Sequence, residues 1–159
     1  MSNNQTFDDI KVQPTALDIC IEAMTILVCA ATWGFLIFGF VFYEIFPGVF
    51  RSPSIFNFLI YAVMNYFIFS NFTKALPNQP LSKSIKITKE NAERQYRLNV
   101  RHNRWMRLSF TALISWSMIG VNLIRTDAMD DWHGTVGWGI IIVMCVIALY
   151  YYVRARMLK

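Results

Sequence analysis

Hydrophobic residues in this chain run in four long blocks rather than in alternation with polar ones. Stretches 23–43, 52–73, 108–124 and 132–153 contain no Asp, Glu, Lys or Arg. A membrane-crossing helix needs roughly 20 mainly apolar residues, within a range of about 17 to 25. In hydrocarbon the backbone N–H and C=O groups find no water, and a helix bonds them internally. A closed β-barrel would instead alternate apolar and polar residues. The pattern predicts an all-α fold, a four-helix transmembrane bundle in a single domain, 1–159, with spans at about 16–43, 53–73, 107–125 and 132–153. The third span is the shortest, and arginines at its edge can snorkel to the interface.

The polar run between the second and third blocks organises the rest. Residues 74–84 carry two prolines and read as a loop; residues 85–107, IKITKENAERQYRLNVRHNRWMR, read as helix. Thr88 is an expected N-cap, with Glu90 and Glu93 at the positive helix end. The expectation is a basic amphipathic helix within the cytoplasmic loop 74–106, continuing into the third span. Apolar residues among arginines suit a helix at a surface of anionic lipid. Arg94, Tyr96, Arg97, Arg101, Arg104 and Trp105 are the candidate residues for binding lipid or a protein partner.

Charge then fixes an expected orientation. The chain is 55% hydrophobic and 16% charged, with a net charge of +5. With four spans, the N-terminus, the 74–107 loop and the C-terminus share one side. That side holds thirteen of the fifteen basic residues; only Arg51 and Arg125 lie opposite, beside Glu44, Asp127, Asp130 and Asp131. The positive-inside rule puts both termini in the cytoplasm. No nucleic-acid recognition motif accompanies the basic charge, so a nucleic-acid partner is not expected. The first apolar block is span-length and follows Asp8 and Asp9, so a cleavable leader is not expected either.

Polar residues inside the spans are the remaining candidates. Pro14 and Thr15 announce the first helix, and Asp18 can complete a capping box. Asp18, Glu22, Thr25, Cys29 and Thr32 share one face by their 4, 3, 4, 3 spacing. They read as a bundle-facing stripe, or, through Glu22, as part of a proton or cation path. Asn57, Tyr61 and Asn65 form a ridge that must find partners in hydrocarbon. Ala30 with Gly34 is a position where helices can approach closely, and Gly134, Gly137 and Gly139 either permit close packing or loosen the start of the last helix. Cys20, Cys29 and Cys145 lack zinc or redox spacing and read as small apolar fillers. Asp127, Asp130 and His133 are a sparse ligand set, and no metal or cofactor is expected. No nucleophile–base pair, HExxH or phosphate loop is present in the sequence, and an enzyme is not expected.

One segment, KITKENAERQYRL at 86–98, is similar to the cytoplasmic segment of the SdpI-like family of small bacterial membrane proteins. In that family it also follows the second span and leads into the third, and the order of elements matches from about residue 16 to 124. The shared domain is largely of unknown function. The resemblance implies a bacterial inner-membrane protein whose best-understood relatives are immunity proteins against a secreted toxin that also signal to a cytoplasmic regulator. Many members carry a Pro-x-His-aromatic-Asn pattern in the first outer loop; here the loop is EIFPGVFRSPS, without histidine. Two functions are therefore carried forward. One is a non-enzymatic interaction protein of immunity or signalling type, with a protein partner in or at the membrane. The other is a small accessory subunit of a transporter or other membrane complex.

Overall fold

A computed structural model describes residues 12–45, 55–73, 81, 87–123 and 127–158. The N-terminal tail, residues 46–54 of the expected first outer loop with Arg51, most of the proline-containing segment from 74, Arg125 and the side chains of Asp127, Asp130 and Asp131 lie outside that description. The described residues form four helices: α1 Ala16–Phe42, α2 Ile55–Thr73, α3 Ala92–Asn122 and α4 Asp127–Met157. The fold is all-α.

Three of the four are long and apolar enough to cross a membrane, over Ala16–Phe42, Ile55–Phe72 and Trp132–Met157. The exception is α3. Its first half is the basic segment, and its apolar half from Leu108 to Asn122 covers only about four turns. That shorter half is also the central one, because α3 packs against each of the other three helices.

Side-chain pairings set the directions. Cys29 meets Asn65, Trp33 meets Tyr61 and Phe40 meets Phe58, so α1 and α2 run antiparallel. Asn57 meets Asn122 while Phe72 stacks on Phe110, so α2 and α3 are also antiparallel. Gln95 reaches Ala155 and Trp116 reaches His133, which reverses α4 against α3. The result is an up-down-up-down bundle. The starts of α1 and α3 and the ends of α2 and α4 gather at one end, and that end carries all the described arginines.

Local sequence explains most helix limits. Thr15 caps α1 and Asp18 completes the capping box, as its spacing predicts. The start of α3 differs from the reading. Thr88 lies in a turn: its N–H donates to Asn91 Oδ1 at 2.9 Å, and its carbonyl accepts from Asn91 and Ala92. Asn91 is the N-cap, but its side chain is spent backward on Thr88 rather than on the helix.

The interior mixes polar and apolar side chains. Thr25, Thr32, Ser109, Thr111 and Ser115 are buried beside Ile21, Leu36 and Tyr61. Small hydroxyl residues let helices approach closely, which matters where lipid removes the hydrophobic drive between helices. Thr25 and Thr32 turn their hydroxyls back to the carbonyls of Ile21 and Val28. Large apolar residues such as Ile26, Leu27, Phe40, Phe67 and Val146 face outward.

The expected glycine contacts fall elsewhere. Ala30 and Gly34 face outward, and a Cβ at Gly34, Gly134, Gly137 or Gly139 would meet nothing within 4 Å. The close approach is at Gly120, where a Cβ would collide with the His133 ring. Periodicity places a glycine on a helix, but only the neighbouring helix decides which face is crowded.

Candidate functional site

The basic half of α3 runs beside the first turns of α1, and opposite charges meet along that seam. Asp18 and Glu22 are one turn apart on α1; Arg101, Arg104 and Arg107 recur every three residues on α3. Arg101 Nε donates to Asp18 Oδ1 at 3.2 Å, and its guanidinium also reaches Thr15 Oγ1 at 3.1 Å. Arg104 bridges the two acids, 3.3 Å from Asp18 Oδ1 and 2.9 Å from Glu22 Oε1. Arg107 approaches Glu22 at 3.3 Å and lies over the Phe69 ring, 5.2 Å from its centre. Two carboxylates thus hold three guanidiniums. The Asp18 side chain is only 3% exposed, whereas that of Glu22 is 42% exposed. A buried charge left alone costs several kcal/mol, so this ladder ties the start of α1 to α3.

A second polar seam joins α2 to its neighbours deeper in the bundle. Asn57 Nδ2 donates to Asn122 Oδ1 at 3.0 Å, and the Tyr61 hydroxyl pairs with Ser115 Oγ at 3.0 Å. Asn65 donates to the Tyr61 carbonyl at 2.8 Å and accepts from the Cys29 thiol. The whole ridge expected on α2 is therefore bonded within the protein. Cys29 departs from a purely apolar role through that contact.

At the opposite end, His133 stacks on Trp116 with ring centres 5.0 Å apart. Its Nε2–H donates to the Trp116 carbonyl at 2.9 Å, and the Trp116 indole N–H donates back to the His133 carbonyl at 2.9 Å. The imidazole is thus committed to α3. Among the described residues no three ligating side chains cluster.

The third feature lies between the start of α3 and the end of α4. Gln95 is fully buried, and its Nε2 donates to the carbonyls of Ala155 at 2.8 Å and Leu158 at 2.9 Å. These are carbonyls that the end of α4 would otherwise leave unpaired. Nearby, His102 sits edge-on to Tyr151 at 5.8 Å, and burial pushes its imidazole below its ordinary value. Beside this contact opens a cleft of about 470 Å³, lined chiefly by Arg94, Arg97, Arg101, Tyr150, Tyr151 and Arg154.

No family model matches this chain, and no curated protein or solved structure matches it either. Function is therefore read from the geometry. The structure divides the six candidate residues of α3. Arg101 and Arg104 are held by the α1 carboxylates. Tyr96 is fully buried, and Trp105 is half-buried with its carbonyl accepting from Ser109. Arg94 and Arg97 face the cleft, with Arg97 paired to Glu93 at 2.6 Å.

Several contributors were not among the candidate site residues expected from the sequence. Arg107 closes the ladder, Gln95 caps α4, and Tyr150 with Arg154 forms the far wall of the cleft. The ladder has a signal in the sequence: acids four apart on one helix and arginines three apart on another. The Gln95 contact has none, because it joins positions 60 residues apart.

Proposed function

We propose that this chain is a non-enzymatic interaction protein of the bacterial inner membrane, of SdpI-like immunity or signalling type. In this reading all four helices cross the bilayer, with both termini and the arginine-rich end in the cytoplasm. The charge distribution supports that orientation.

The observation that carries the reading is the position of α3. It is one unbroken helix from Ala92 to Asn122, bonded to α1 through the ladder and to α4 at both of its ends. A rigid helix tied in this way carries a displacement at its outer end to its basic end. Such a helix gives sensing at one face a physical connection to signalling at the other. The basic end, where Glu93 and Arg94 are exposed, is the docking surface for the cytoplasmic partner.

The test is photo-crosslinking in native membranes, with the reactive amino acid placed at Glu93 and, as a lipid-facing control, at Ile142. A single protein adduct from position 93 and none from position 142 is expected. Equal labelling at both positions, or none at 93, would sink the docking reading.

One observation favours the accessory-subunit alternative. Ala30 and Gly34 form a small-residue face open to the bilayer, which suits a helix of a larger membrane protein. A crosslinker at Phe38, beside that face, separates the two. A large integral partner captured there supports the subunit reading, and lipid adducts alone count against it.

A further inference from the structure

Glu93 and four arginines line the α3–α4 cleft, and acids balance only two of those arginines. Arg97 is paired with Glu93, and Arg101 with Asp18. Arg94 and Arg154 have no carboxylate within ion-pair distance among the described residues; Arg154 meets only the Tyr150 hydroxyl, at 3.1 Å, and that ring. Two uncompensated guanidiniums therefore face one concavity of about 470 Å³, a size usual for small-molecule sites. The end of α4 would ordinarily repel an anion through its helix dipole. Here Gln95 already donates to two of its last carbonyls, which blunts that repulsion.

A second concavity lies beside the first, with two lining residues in common. A groove of about 370 Å³ runs along α4, lined by Val146, Leu149, Val153 and Met157, and shares Tyr150 and Arg154 with the cleft. Tyr150 and Arg154 thus stand between a cationic space and an apolar one. A free phosphate would fill only the first.

We infer that the cleft and groove together form a binding site for one anionic glycerophospholipid. Its phosphate lies between Arg94 and Arg154, and one acyl chain lies along Val146, Leu149 and Val153. Guanidinium groups are suited to phosphate because their planar donors match its oxygens in pairs. The site rests on the reading of the chain as membrane-spanning but requires no protein partner. The bound headgroup would brace the start of α3 against the end of α4.

The test is native mass spectrometry of the full chain, released from detergent micelles after titration with phosphatidylglycerol or phosphatidylcholine. Phosphatidylglycerol should be retained with a roughly thirtyfold preference, the value expected for two arginines at a net anionic headgroup, because choline offsets the phosphate charge of phosphatidylcholine. The R94Q/R154Q variant should lose that preference. Arg156→Gln should keep it, because Arg156 stacks on Tyr152 and does not line the cleft. The single R94Q variant, at an exposed residue, serves if the double variant fails to fold and should lose about half the preference on a logarithmic scale. Equal retention of the two lipids, or a preference unchanged in R94Q, overturns the site. Displacement of the lipid by millimolar glycerol phosphate overturns the lipid assignment in favour of a free phosphate ester. None of these results depends on the crosslinking at Glu93, so either proposal can fail alone.

Discussion

The imidazole of His133 fills the space that a side chain at Gly120 would occupy. It is held there by its Nε2–H bond to the Trp116 carbonyl and by stacking on the Trp116 ring, so the ring cannot yield without losing both. Gly120→Ala should destabilise the protein by about 1–3 kcal/mol through overpacking. Thermal unfolding in detergent micelles measures the loss. In a His133→Ala background the same change should cost well under about 1 kcal/mol, since coupled neighbours are not additive. Equal costs in both backgrounds would show that the ring is not what excludes a side chain at 120.

The two acids of the ladder should differ. Asp18→Asn leaves Arg101 and Arg104 without their shared buried partner and should cost about 3 kcal/mol. Glu22 is much more exposed, so Glu22→Gln should cost less than about 1 kcal/mol. Chemical unfolding in micelles gives both values. A larger loss for Glu22→Gln would reverse the order of burial found here.

The Tyr61–Ser115 bond joins α2 to α3 in the interior. Tyr61→Phe keeps the ring against Trp33 and removes only the hydroxyl. Hydrogen bonds between membrane helices are worth about 0.6 kcal/mol on average, with a maximum near 1.7 kcal/mol. The double-mutant cycle with Ser115→Ala should return a coupling in that range. A coupling of zero would mean that each hydroxyl finds another partner.

His102 gives the fold a pH dependence. Because burial lowers its folded value, the neutral ring is the form the fold accepts. The unfolded chain takes up a proton first, so stability rises with pH across the interval between the folded and unfolded values. Its contribution is complete above the unfolded value of 6.5 and is lost as pH falls from there toward the depressed folded value. Melting temperatures in micelles between pH 7.5 and about pH 5 should fall for the native chain. The fall should be shallower in His102→Gln. Parallel profiles would remove His102 from the effect.

Much of the fold was legible because its cause is local. Thr15 with Asp18 marks a helix start through a three-residue spacing, and the structure forms that box. The stripe from Asp18 to Thr32 and the ridge from Asn57 to Asn65 repeat at the helical period, and their polar groups find partners within the protein. Thr88 misled because Asn91 offers the backbone a competing turn. Tyr96 belongs to the buried stripe of Ala92, Gln95 and Asn99, which faces the interior of the bundle. Its neighbours mix arginine, amide and apolar residues without one clear face, so either face was open to it.

By itself the sequence determined an all-helical protein with membrane-length apolar segments and one strongly basic end. Hydrocarbon leaves the backbone no other bonding partner, and charge cannot readily enter the lipid. Only the tertiary structure decided how the arginines are divided. Arg101, Arg104 and Arg107 lie against the acids of α1, while Arg94 and Arg154 line one cleft from opposite ends of the α3–α4 pair's sequence. All of these side chains carry the same charge, and residue type cannot show which of them packing supplies with a carboxylate. That depends on distances between helices, which are set when α3 settles among its three neighbours.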